Sequence, residues 1–321
     1  MSPMNSLILP AEQVEPVARA LVGAIAADDG PTDEQYSVLR ALVVHLWQRP
    51  DLVVEELAPF DPAGAAEAVT DPATRRRLNE LMVVLELARH PQTAGQVARV
   101  EEYAHAIEMG GPELEICRDW IRDGAARAME DFERFYAEKL EILSEPSLRE
   151  RYLRIDEPDL ELAAQLEALH DLPEGTLGHA FVEFHIRNGL TMPGADIHTP
   201  AHYVSHDMNH VIAGYEPTGP GEIALGAFTL AMCDNDANWI QFIASLSIHE
   251  AGIVQHGEIM PKAATLSRPG ATDLLAEALA RGAQCTSDFS QAEHMTMVDW
   301  PLADVRAHFG VPAADLLGIG M

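Results

Sequence analysis

TPAHYVSHDMNHVIAGYEPTGPGEIALGAFTLAMC, Thr199 to Cys233, reads as helix, tight turn, helix. Thr199 suits an N-cap and Pro200 the first helical position, while Gly214 suits a helix stop. The spacing predicts one helix over 200–213. Gly, Pro and Thr fill most of the turn "GYEPTGPG", and Pro220-Gly221 opens the next helix with Glu222 in its first turn. At ~100° per residue, His206 and His210 lie ~40° apart and Asp207 ~60° to the other side of His210, so one face presents all three. A first-turn Glu222 can swing back against that face. Two imidazoles with one or two carboxylates suit Zn²⁺ or Fe²⁺, and three or four protein ligands leave a position open for water or substrate. The competing reading is a polar, capped helix with local ion pairs.

Working outward, helical periodicity dominates the chain. "AEQVEPVARALVGAI" carries Val14, Val17, Leu21 and Ile25 at three- and four-residue spacing, and Asp28-Asp29-Gly30 ends that helix. Pro31-Thr32-Asp33 opens the next. Further helices are expected at about 51–58, 62–69, 72–89, 93–109 and 112–142, separated by breaks such as "RPD", "FDP", "TDP", "RHPQT" and "MGGP". No alternating strand pattern occurs in the first 145 residues. After "LSEPSLRERY" the texture is richer in His and Gly, with helices at about 159–169, 176–188, 200–213, 220–232, 237–248, 271–281 and 301–308. The expectation is an all-α protein of two helical domains, 1–145 and 150–321.

Composition narrows the function. The 321 residues carry a net charge of −30, with 14 basic against 28 acidic residues in 1–150 and 7 against 23 in 151–321. An acidic surface in both halves argues against nucleic acid and against a polybasic membrane anchor. Cys117, Cys233 and Cys285 are far apart and form no CxxC pair, which fits a reducing compartment. The N-terminus lacks a basic stretch followed by an apolar run. The longest apolar run, Ile223 to Cys233, falls short of the ~20 residues needed to span a bilayer. A cytoplasmic protein is expected, with peripheral membrane contact open.

Other candidates compete with the central motif. His198, His202, His206 and His210 recur every four residues, and His202 could replace Asp207 as a ligand. "SIHEAGIVQHGE" sets His249 and His256 seven apart on one helical face, near Glu250 and Glu258. It is not an HExxH motif, and it reads as solvated or supporting histidines. Arg306, in a half poor in basic residues, could pair a carboxylate or phosphate, or form a salt bridge holding the C-terminal helix.

Two resemblances follow. "AIAADDGPTDEQ" resembles the acidic corner of TerB-like helical domains, over about residues 11–115. Some of those domains are linked to divalent metals, which brings Asp28, Asp29, Asp33 and Glu34 under consideration, although the corner lacks the twelve-residue ladder of an EF-hand. His206-Asp207-x-x-His210, eleven residues and Glu222 resemble the HDxxH-x11-E pattern of the Coq4 family of coenzyme Q biosynthesis. "LPEGTLGHAF" at 172–181 and "PLADVRAHFGV" at 301–311 are similar to that family's flanking segments, and the resemblance spans roughly 150–318. It implies a helical fold with His206, Asp207, His210 and Glu222 as metal ligands, usually for zinc. It also implies association with isoprenoid lipids and with other quinone-biosynthesis proteins, as a homo-oligomer. The implied activity is removal of the C1 carboxylate of a prenylated hydroxybenzoate and its replacement by hydroxyl, a metal-dependent oxidative decarboxylation. The prenyl tail is expected between the apolar helices 223–232 and 237–248. A non-catalytic lipid-binding scaffold and a tailoring enzyme of specialised metabolism are the alternatives.

Overall fold

The structure, a computed structural model, describes residues 7–109, 145–151, 157–254 and 262–314. The fold is all-helical. Among the described residues there is no strand, only the isolated bridge pairs Thr176–Pro301 and Ala251–Ala263. The helix expected over 112–142, together with Cys117, His256 and Glu258, lies outside the described residues.

Side-chain caps set most helix starts. In the first half, α1 (Ala11–Ile25) buries Val14, Val17, Leu21 and Ile25, as its spacing predicts. Thr32 opens α2 (Asp33–Ala41) through a capping box with Gln35, and the helix runs on as a π turn over Leu42–Leu46. Asp61, Asp71 and Thr93 cap α3 (Pro62–Ala68), α4 (Pro72–Leu87) and α5 (Ala94–Ala106). The helix expected at 51–58 is only a 3-10 turn, Val54–Glu56. Pro50 and Pro59 bracket too few residues to recover the cost of nucleating an α-helix. At the acidic corner, Asp28 adopts a left-handed conformation and accepts from Thr93 Oγ1 at 2.6 Å, with Arg89 at 3.8 Å. Its carboxylate ties α1 to the start of α5. Among the described residues, Asp28, Asp29, Asp33 and Glu34 join no metal-ligating group.

The second half contains α6 (Leu160–Glu167), α7 (Leu177–Asn188), α8 (Tyr203–Ala213), α9 (Gly219–Met232), α10 (Asp236–His249), α11 (Ala271–Gly282) and α12 (Leu302–Phe309). Helix α9 is the axis: every residue from Ile223 to Ala231 is buried. It touches α10 through Gly226, where a methyl would lie 3.0 Å from Phe242 Cα. It touches α11 through Gly282, where a methyl would run into the Phe228 carbonyl. At Gly226 helices α9 and α10 are in direct contact.

The two sequence units meet. Helix α11 packs against α2 and its π turn, and α10 against α4. At the second contact the buried Arg77 pairs with Glu80 and with Asp234 (2.6 Å) and lies over the Trp239 ring at 4.8 Å. Buried apolar residues from both units form one continuous core.

Candidate metal centre

Helix α8 starts three residues later than its sequence predicts. Asp196 Oδ1 accepts from His198 N, Thr199 N and Thr199 Oγ1 at 2.8–2.9 Å, so the Thr199 hydroxyl serves that turn instead of capping a helix. His202 is the N-cap residue and makes no capping bond with its side chain. From Tyr203 the helix is regular, and His206 and His210 stand one turn apart with ring centroids at 4.7 Å.

The intervening turn delivers Glu222. Gly214 ends α8 in a left-handed conformation (φ 85°), open at little cost to glycine. Thr218 caps α9, its hydroxyl accepting from Gly221 N at 3.2 Å. A side chain at Gly221 would collide with the Glu216 carbonyl, so this close turn requires glycine. Glu222 then occupies the first turn of α9, where the helix dipole favours a carboxylate. Its two oxygens lie 3.3 Å from His206 Nε2 and 3.3 Å from His210 Nε2. One donor atom from each of His206, His210 and Glu222 falls within 4.8 Å of the others.

The far nitrogens of both imidazoles are committed. His210 Nδ1 faces Tyr215 O at 2.9 Å and must donate to it, which leaves the Nε2 lone pair toward Glu222. His206 Nδ1 faces Asp207 Oδ1 at 3.1 Å and donates likewise. The other Asp207 oxygen faces His185 Nε2 at 3.0 Å, while His185 Nδ1 lies 3.0 Å from Phe181 O. With only one proton, a neutral His185 ring can satisfy one of these two acceptors as donor, and a protonated ring both. Phe184 stacks on the His210 ring at 5.4 Å and an interplanar angle of 23°. Helix α7 thus supports the site from behind with Phe184 and His185.

This donor set fits a divalent ion. A tetrahedral ion with ~2.1 Å bonds sets its donors ~3.4 Å apart, and each imidazole Nε2 lies 3.3 Å from a Glu222 oxygen, His206 from one and His210 from the other. The buried His210 Nε2 has no well-formed hydrogen bond to any protein group. Oriented imidazoles with carboxylate or carbonyl partners on their far nitrogens are the arrangement that metal-binding histidines use. Electrostatics agree. Burial opposes charge on His206, yet Glu222 and Asp207 hold its pKa up to about 10. Burial likewise opposes charge on Glu222, and the two histidines nonetheless keep it well below the ordinary carboxylate range. Both shifts have one cause, two carboxylates packed against the imidazoles, and that charge arrangement suits a cation. His210 is sealed from solvent, whereas the His206 side chain remains 27% exposed, so approach is from the His206 side.

Two arginines anchor the end of α8. Arg306, from α12, donates to Val211 O and Ile212 O, both at 2.9 Å. Arg281, from α11, donates to Ala213 O at 2.9 Å and to the Tyr215 hydroxyl at 2.8 Å. Gly214 N closes on His210 O at 2.7 Å. The last four carbonyls of the helix are all satisfied. Arg306 therefore spends its guanidinium on backbone carbonyls instead of the carboxylate that its sequence context suggests.

Of the sequence candidates, the structure gathers His206, His210 and Glu222 at one point. Asp207 sits beside them with its oxygens turned to His206 Nδ1 and His185, outside the gathered group. His202 is buried and stacked on Tyr203 (4.6 Å), also outside that group. His249 is buried rather than solvated. Burial lowers its pKa, and Glu222, Lys262, His206 and His210 all act on it, so it lies within electrostatic reach of the centre. His185 escaped sequence reasoning. Its one signal is a histidine on the buried face of α7, which it shares with Phe181 and Phe184.

No protein-family model and no curated protein matches the chain. Among solved structures, a candidate ubiquinone biosynthesis protein from Nostoc punctiforme aligns with 73% of this chain and 97% of its own length, at 19% identity and a TM-score of 0.33.

Proposed function

We propose that the chain is a Coq4-like, metal-dependent protein of quinone biosynthesis that acts on a prenylated aromatic acid at C1. One observation carries this reading: the HDxxH-x11-E residues His206, His210 and Glu222 converge, with the Nδ1 of each imidazole committed to an acceptor on its far side. His206, His210 and Glu222 would hold the ion, zinc or iron. When bound, it supplies Lewis acidity toward a carboxylate or phenolate oxygen. Asp207 fixes the His206 ring and is itself held beside His185. Phe184 and the capped end of α8 keep His210 in place. The partly exposed edge of His206 is the side from which an acid headgroup reaches the centre. Decarboxylation alone needs a proton at the ring carbon, whereas exchange of carboxylate for hydroxyl also needs an oxidant such as dioxygen. The TerB-like unit, peripheral membrane contact, homo-oligomerisation and contact with other quinone-biosynthesis proteins belong to the same reading. Among the described residues no helix is long and apolar enough to cross a membrane.

The test is turnover of carboxyl-labelled prenyl-4-hydroxybenzoates by metal-loaded protein. Label should leave as CO₂, and His206→Ala should abolish the release. Because the surface is acidic, burial of the tail must supply affinity, at about 0.8 kcal/mol per methylene and with little salt dependence. Tight binding of prenyl lipid to metal-loaded protein without turnover would favour the scaffold. Affinity indifferent to tail length would point to a polar acid of specialised metabolism.

A further inference from the structure

We propose that His170, His179 and Glu183 form a second divalent-metal site, on the outer face of α7, for a borderline ion such as Zn²⁺, Ni²⁺ or Cu²⁺. His179 and Glu183 are one helical turn apart on α7, and His170 comes from the 3-10 turn Ala168–Asp171 that precedes the helix. His170 Nε2 lies 2.7 Å from Glu183 Oε1. The His170 and His179 rings run nearly parallel, with centroids 4.8 Å apart and planes 22° apart. One donor atom from each of the three residues lies within 4.8 Å of the others.

The local sequence builds this cluster. Thr176 caps α7 and fixes its first turn. Gly178 has no side chain, and a methyl there would lie 2.8 Å from Leu172 Cδ1. Leu172 can therefore lie against the start of the helix, and the turn carrying His170 folds back beside His179. The opposite face of α7 buries Phe181, Phe184 and His185, so the cluster is separated from the inner centre by the body of the helix.

Its chemistry differs from that of an ordinary ion pair. A lone His–Glu pair needs no second imidazole, yet here His179 is stacked alongside the first. Two imidazoles and a carboxylate select zinc, nickel and copper over magnesium and calcium. The His170 and Glu183 side chains are about half exposed (44% and 45%), so water can complete the coordination sphere. A chain of net charge −30 enriches cations at its surface. The inference is independent of the inner site and of the reaction proposed for it.

Zinc titration of tag-free, chelator-stripped full-length protein, followed by metal analysis, tests it. Wild type should take up two ions per chain in saturable steps. His170→Ala/His179→Ala should take up one, and so should His206→Ala/His210→Ala. Glu183→Gln, nearly isosteric, should weaken the outer step alone, with circular dichroism unchanged. Two ions in wild type and still two in His170→Ala/His179→Ala would overturn the proposal. So would one ion in wild type that is lost only in His206→Ala/His210→Ala, an outcome that leaves the inner centre intact. An ion lost only in His170→Ala/His179→Ala would support the outer site and reject the inner one. No uptake by wild type would reject both.

Discussion

Replacing Arg306 with Met should loosen the metal-binding helix from its far end. Arg306 supplies two hydrogen bonds of 2.9 Å, to Val211 O and Ile212 O. Methionine keeps much of the aliphatic stem and removes both donors. A hydrogen bond from a charged donor contributes about 1.5–3 kcal/mol. Two would give about 3–6 kcal/mol, but Arg306 is only partly buried, so water can reach the freed carbonyls and reduce the loss. Nearby Arg281 opposes it further: burial and then Arg281 lower the Arg306 pKa, so removing the charge relieves some repulsion. The expected net cost is about 2–4 kcal/mol. Because His210 O and Ala213 O keep their own donors, α8 should fray without unwinding entirely. Urea denaturation should show a lower midpoint at unchanged slope, and zinc should dissociate faster. Arg306→Lys should recover at most one of the two bonds, because an ammonium cannot fork. A loss below about 1 kcal/mol with unchanged zinc affinity would refute this account of the helix end.

Three further outcomes follow from the packing and charge. Asp207→Asn should weaken zinc about 10–100-fold in chelator competition while stoichiometry is retained, as expected of a residue that orients a ligand; complete loss of zinc would make Asp207 a ligand itself. Gly282→Ala should cost about 1–3 kcal/mol in chemical denaturation, because its methyl meets the Phe228 backbone, and a neutral result would mean that α9 and α11 can slide apart. Burial pushes the Glu250 pKa from 4.5 up to about 7, so the native state holds a proton that the unfolded chain has released. The contribution of Glu250 to stability is therefore greatest below pH 4.5 and is lost as pH rises through about 7. Glu250→Gln should remove that decline, gaining up to about 3 kcal/mol at pH 8; superimposable pH profiles for the two proteins would show the carboxylate to be hydrated.

How much of this was legible in the sequence depends on how local each feature is. The helical class, the helix openings at Pro31-Thr32-Asp33 and Pro220-Gly221, and the return of Glu222 toward the histidines follow from neighbouring residues and fixed helical geometry. The start of α8 departs from its expected position because Asp196 competes for the Thr199 hydroxyl, and capping preferences do not register a competitor three residues upstream. The helix expected at 51–58 failed because periodicity carries no information about nucleation cost. His185 and Arg281 were overlooked for a different reason. Their partners are an aspartate on another helix and backbone carbonyls far along the chain, and spacing within one helix cannot reveal which faces meet. Arg306 stood out by its setting, but its carbonyl partners were equally out of view.

The central claim is that His206, His210 and Glu222 together hold one divalent ion. Zinc content after equilibrium dialysis tests it most directly in a His170→Ala/His179→Ala background, where the proposed outer site has been removed. The account predicts one zinc per chain in that background and none when His210→Ala or Glu222→Ala is added, with the helical circular dichroism signal unchanged. One zinc retained in both of those variants, or one lost on His202→Ala instead, would contradict it.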